Sequence, residues 1–230
     1  MKQYRKALTF SYDDGVTQDI RLVELFNKYG MKCTFNLNTG IQSETSYWYM
    51  QDVRIHRMNQ SDIGNLYQGH EIATHGLTHE NPSDRDEAWL NEEYGKDIEN
   101  IKRIYGVTPV GMAYAYGAYD DTVCDWLTAH GIKYGRNVWE THSFALPEDP
   151  IRLRPTCHHN DEELFPLLRK FLEEEPEEDE VWLFYVWGHS YEFDTCRNWA
   201  RIEEFVERAA GHEDVLYGTN EECLRYFGVI

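Results

Sequence analysis

Two short stretches hold residue types that could do chemistry together. Residues 7–15 read ALTFSYDDG, an apolar run that stops on two adjacent aspartates, Asp13 and Asp14. Residues 70–79 read HEIATHGLTH, where His75 and His79 stand four apart at the end of a β-branched run. A further histidine, His189, follows VWLFYVW in the stretch VWGHSYEFD. Adjacent carboxylates are costly to ionise together unless a cation shares the site. Two neutral imidazoles and one carboxylate are a common ligand set for a zinc ion with an open position. Such an ion lowers the pKa of bound water to ~7 and polarises a carbonyl. The second carboxylate is then free to act as a base, and a separate histidine can be the acid for a leaving group. The chemistry is metal-assisted hydrolysis.

Each part alone has a plainer explanation. An Asp pair before glycine is often a turn, and paired histidines are common on surfaces and in cores. The joint occurrence, each at the end of an apolar run, favours a site. His158 and His159 also follow a strand candidate and are a further pair for it. His70 is expected to pack structurally, and His56, His130, His142 and His212 to lie on the surface or in loops.

Something must bring these residues to one place. Strand candidates, rich in β-branched and aromatic residues, span 7–12, 33–38, 71–74, 111–115, 132–136, 151–154, 181–187 and 215–219. Amphipathic helix candidates span 17–30, 86–106, 120–131, 161–175 and 197–211. Ile20, Val23 and Phe26 or Tyr29 form the apolar stripe of the first, and Gly30 and Gly106 are stop signals. Asp120 and Asp161 can cap or open their helices. Alternating strands and helices argue for parallel strands with right-handed crossovers. A closed or nearly closed (β/α) barrel is favoured over a doubly wound open sheet. In such a barrel the working residues sit at the C-terminal strand ends, so Asp13, Asp14, His75, His79, Tyr116, Gly117 and His189 would share one face. The stretch 39–62 reads as the longest irregular one, of a length that is usually functional or partly helical, and 173–180 (EEEPEEDE) as a solvated acidic loop.

Composition bounds the partners. The chain of 230 residues carries a net charge of -19, with a pI near 4.8. This argues against nucleic acid and anionic membranes, and permits neutral or cationic substrates. No composition break suggests a second domain, so residues 1–230 read as one catalytic domain. The five cysteines show no CxxC spacing and read as reduced thiols of a cytoplasmic protein. No apolar run approaches the ~20 residues of a membrane span. The N-terminus lacks a signal-peptide pattern, so the expectation is a cytoplasmic protein or one whose leader has been removed.

The residues also resemble a known family, the polysaccharide deacetylases (NodB homology domains, carbohydrate esterase family four). TFSYDDG is similar to the family's TFDDG motif, and GHEIATHGLTH to its most specific motif, GHEI followed by two histidines four apart. MAYAYG lies where the family has an RPPYG-like motif, and FYVWGHS where it has its last, LxLH-like one. The resemblance runs in order from Thr9 to His189. It implies a distorted (β/α)7–8 barrel and hydrolysis of N-acetyl or O-acetyl groups on an acetylated carbohydrate. It implies Asp13 as general base, Asp14, His75 and His79 as metal ligands, and His189 as general acid. It also implies the Tyr116 backbone N–H as an oxyanion donor, with zinc, or cobalt or nickel, binding the acyl carbonyl and the attacking water.

The departures mark a divergent member. Ser11 and Tyr12 precede the aspartates, and Gly76 replaces the usual Ser or Thr after the first histidine. Ala113 stands where the family's base-orienting arginine would be, and Arg136, from the next strand, is the candidate to replace it. The motif that orients the acid histidine has no clean match, and Glu140 and Glu192 are candidates for its task. Tyr47, Trp48 and Tyr49 read equally as a sugar-stacking surface or as loop aromatics packed under the barrel rim. The rival functions are hydrolysis of a small linear amide on the same scaffold, and carbohydrate binding without catalysis.

Overall fold

The computed structural model describes residues 3–230. Its strands are β1 (Lys6–Asp13), β2 (Thr34–Leu37), β3 (Tyr47–Met50), β4 (Val53–His56), β5 (Glu71–Thr74), β6 (Gly111–Ala113), β7 (Tyr134–Arg136), β8 (Cys157–His158), β9 (Trp182–Gly188) and β10 (Val215–Tyr217). Its helices are α1 (Asp19–Tyr29), α2 (Gln60–Ile63), α3 (Glu87–Leu90), α4 (Lys96–Tyr105), α5 (Asp121–Ala129), α6 (Leu164–Glu173), α7 (Glu192–Thr195), α8 (Trp199–Ala209) and α9 (Asn220–Tyr226). Among the described residues no helix is long and apolar enough to cross a membrane.

Eight strands form one sheet in the order β7-β6-β5-β2-β1-β9-β8, with β10 also on β1. Every pairing in it is parallel. All residues of β1 are buried, as a strand covered on both faces requires. β9 runs along one edge of β1, from Lys6 to Tyr12. The other edge is divided: β10 takes Lys6–Leu8 and β2 takes Ser11–Asp13. That division distorts the barrel.

The sheet is strongly curled. β7 lies four strand steps from β1, about 19 Å in a flat sheet at ~4.8 Å per step. Arg136 of β7 nonetheless bonds Asp13 of β1 at 2.6 Å. The result is a half-barrel whose gap is nearly spanned by the stretch after Arg152, which bridges β7 at Leu153 and joins β9 as β8.

Most expected elements are present within a few residues, and the differences have local causes. Residues 151–154 are not a strand: Pro150–Arg152 form a 3₁₀ turn opened by Asp149, whose carboxylate accepts the Ile151 N–H. Residues 39–62 are not irregular throughout, because β3 and β4 pair as an antiparallel hairpin. Its two-residue turn puts Gln51 and Asp52 at φ 48 and 65, which residues such as Asn and Gly normally signal. In α1, Leu22, Val23 and Phe26 face the core, while Ile20 is 46% exposed. The helix over 86–106 is interrupted by a π-helical turn at Asn91–Gly95. Gly30 and Gly106 end their helices in left-handed conformation. Asp120 caps α5 through the Val123 N–H, whereas Asp161 accepts the Glu163 N–H ahead of α6.

Candidate active site

The C-terminal end of β1 presents two consecutive carboxylates to different partners. Asp14 and Gly15 both have left-handed backbone, φ 81 and 62, so the chain turns sharply there. Asp13 is bonded through both oxygens by the Arg136 Nη2, and its Oδ1 accepts Asn36 Nδ2 at 2.8 Å. Asn36 faces Asp13 because β1 and β2 pair in that register. Asp14 accepts Arg57 Nη2 at 2.7 Å, and Arg57 lies over the Trp48 ring.

His75 leaves β5 into the same space. Its Nδ1 sits 2.7 Å from the Ala113 carbonyl, so that nitrogen carries the proton and Nε2 the lone pair. The Nε2 is buried without a hydrogen-bond partner and lies 3.9 Å from Asp13 Oδ2. His79, also left-handed at φ 62, turns its Nε2 to within 3.8 Å of Asp14 Oδ1. One ligand atom from each of Asp14, His75 and His79 falls within 4.8 Å of the others. A buried lone pair facing carboxylates fits a cation. Burial lowers the proton affinity of both imidazoles, that of His79 to about 4, so both are neutral as ligands must be.

Gly76 is required here. A Cβ would meet Glu93 Oε1 at 2.8 Å, and the backbone is at φ 82. Glu93 instead fixes the loop by accepting the N–H and hydroxyl of Thr78, each at 2.7 Å.

His189 follows β9 and closes the other side, with its Nε2 3.9 Å from Asp13 Oδ2. Its Nδ1 faces Glu192 Oε2 at 3.3 Å, and its backbone N–H donates to the same oxygen. Burial alone would weaken its hold on a proton, but Glu192, Asp13 and Asp14 raise its pKa to about 9. Asp13 goes the other way. Burial would raise its pKa, yet Arg136, His75 and His189 bring it to about 2. Asp14 is lowered despite burial, chiefly by Arg57.

The structure therefore gathers Asp13, Asp14, His75, His79, Arg136 and His189 in one cluster. Tyr116 joins them at the end of β6, left-handed at φ 60, with its exposed ring 4.8 Å from that of His79. Of the two glutamates, Glu192 touches His189, while Glu140 accepts from the His158 N–H and Trp187 Nε1. The three aromatics of β3 separate: Trp48 packs inward on Tyr191 and Arg57, and Tyr47 and Tyr49 face out. His70 bonds the Cys33 N–H and meets Phe35 edge-on, a packing role. Asn36, Arg57 and Glu93 were missed by motif reasoning. Arg57 follows directly on the β3–β4 hairpin, and no motif in the sequence marks it.

A family model for polysaccharide deacetylases matches residues 1–135. A peptidoglycan deacetylase of Helicobacter pylori is 27% identical over 118 residues, which are 51% of this chain. That match takes in about a third of the relative, 36% of its length. Among solved structures, PuuE allantoinase superposes with a TM-score of 0.70 at 15% identity, covering 99% of this chain and 91% of that one. A probable polysaccharide deacetylase from Pseudomonas aeruginosa gives 0.69 at 16%, covering 98% and 91%. At such identities the two structures speak for the curled barrel alone. The family match extends over more than half of the sequence and takes in Asp13, Asp14, His75 and His79; the chain belongs to the polysaccharide deacetylase family.

Proposed function

We propose that the chain is a metal-dependent hydrolase removing N-acetyl, or O-acetyl, groups from a carbohydrate, with Asp13 as general base and His189 as general acid. One observation carries this reading. Asp13 Oδ2 and His189 Nε2 face each other at 3.9 Å, with Asp13 held ionised and His189 held protonated. Groups pushed apart in this way divide the acid and base work.

Asp14, His75 and His79 would hold the cation, and two imidazoles with one carboxylate favour zinc, though cobalt or nickel suit the same donors. Bound there, the ion would polarise the acyl carbonyl and make water a better nucleophile. Arg136 fixes the Asp13 carboxylate and keeps it free of a proton until the attacking water supplies one. His189 delivers its Nε2 proton to the leaving amine or alcohol, and Glu192 holds the ring in place from behind. The Tyr116 N–H is assigned to the developing oxyanion, a role supported by its turned backbone beside His79. Tyr47 and Tyr49, 48% and 66% exposed, are the better sugar-stacking pair. One catalytic domain suits the single main sheet, and the five free cysteines support a reducing, cytoplasmic setting.

The test is acetate release from N- and O-acetylated sugars by zinc-loaded protein, beside Asp13→Asn and a chelated sample. Release abolished in both controls supports the reading. Turnover of small linear amides alone moves the assignment to an amide hydrolase. Sugar binding with no release of any kind moves it to a carbohydrate-binding protein.

A further inference from the structure

His158 has no part in the scheme above, yet it is wired into it. The Asn160 N–H donates to its Nδ1 at 3.1 Å. That nitrogen therefore holds the lone pair and the proton sits on Nε2. Nε2 lies 2.9 Å from Glu192 Oε2 and donates to it. The same oxygen accepts the His189 N–H at 3.0 Å and faces His189 Nδ1 at 3.3 Å. One carboxylate oxygen thus serves two imidazoles, one from the end of β8 and one from the end of β9.

His158, His159 and Glu192 also lie close enough to resemble a second cation site. The hydrogen bonding argues otherwise. With Asn160 on Nδ1, the His158 nitrogen nearest Glu192 presents a proton and has no lone pair for a metal. His159 is fully buried, its ring stacked on Tyr12 and packed on Phe193, with Nε2 3.4 Å from Glu192 Oε2. It bounds the cluster and limits where the carboxylate can move.

We propose that His158 is a positioning residue for the reaction: it holds Glu192 behind His189 and, by occupying the shared oxygen, sets how tightly His189 keeps its proton. This rests on His189 being the general acid. The groups facing His189 are Asp13 and Asp14 from β1, Glu192 from α7, and the rings of Trp187 and Tyr191. Of these, Glu192 and the Trp187 ring are shared with His158, and Glu192 is the shared group that carries charge. If His158 stops donating, the backbone N–H of His189 still pins Oε2, so the full strength of the carboxylate falls on the His189 ring.

The experiment is an NMR titration of the His189 ring in wild type, His158→Phe and His158→Gln, with kcat and KM on an acetylated sugar alongside. In the Phe variant the His189 midpoint should rise by about half a unit, an about threefold gain in proton affinity. Its kcat should fall about tenfold with KM little changed. Gln restores an N–H donor and should bring both back toward wild type. If the Phe variant does not fold, His158→Ala takes its place with the same expected rise. A midpoint that stays or falls overturns the proposal, as does a Gln variant that behaves like Phe. The titration needs no turnover, so a shifted midpoint without deacetylation would keep the coupling of His158 to His189 through Glu192 while rejecting the proposed activity.

Discussion

Arg57 and Asp14 form an ion pair at 2.7 Å, with both side chains largely buried. Asp14 also belongs to the trio proposed to hold a cation, so Arg57 places a like charge beside any ion that binds. At this range Coulomb repulsion exceeds thermal energy even when partly screened. Arg57→Ala should tighten zinc binding about tenfold, measured by calorimetry or chelator competition. Weaker binding would mean that orienting Asp14 outweighs the repulsion.

The Asp13 ion pair sets an acid limit on stability. Its folded pKa, about 2, lies below the ordinary carboxylate value of 3.8. A depressed carboxylate stabilises the fold above its unfolded pKa, and that contribution is lost as pH falls through the folded one. About 2 kcal/mol should disappear between pH ~4 and ~2. Urea unfolding across that window would measure it. Asp13→Asn should lack this part of the slope; an unchanged slope would place the acid sensitivity elsewhere.

His189 titrates in the opposite sense. Its folded pKa, about 9, lies above the ordinary 6.5. Its stabilising effect is complete below the unfolded value and is lost as pH rises through about 9. Catalysis that needs the protonated ring should fail over the same range. The pH profile of kcat should therefore show an alkaline limb near 9. His189→Gln should be slow at every pH and show no such limb.

Gly188 is constrained by a neighbour rather than by its own backbone. A Cβ there would stand 2.1 Å from His159 Nδ1. Gly188→Ala should cost about 2 kcal/mol or more by forcing that buried ring aside. Adding His159→Ala should recover part of the loss, because the clash is with that one ring. Thermal melts of the two single variants and the double variant close the cycle.

The β3 aromatics separate packing from substrate contact. Trp48→Ala should lower Tm, since its ring meets Tyr191 edge-on at 5.5 Å and supports Arg57. Tyr49→Ala, at a ring that is 66% exposed, should leave Tm in place and raise KM on the sugar. Equal effects on Tm would return Tyr49 to a packing role.

The strand ends were legible because each carries chemistry at a break in apolar patterning. Asp13 and Asp14 close a fully buried strand, and His75, His79 and His189 stand just beyond theirs. Arg136 was nameable because a barrel brings the next strand end into reach. Arg57 was not, since its hairpin turns on Gln51 and Asp52, which announce no such turn. Glu93 was hidden for another reason. It reaches the histidine loop from a π-helical turn, where the ordinary helical spacing no longer tells which residues face inward.

The bond between Arg136 and Asp13 joins residues 123 positions apart. It can form only after β7, three intervening strands and β1 have paired and curled. Loop closure over such a span is slow and comes after local pairing. Asp13 thus acquires its guanidinium among the last events of folding, and, with Asp13 as the proposed base, recovery of turnover during refolding should trail the recovery of helical signal. Activity then acts as a clock for ring closure of the sheet.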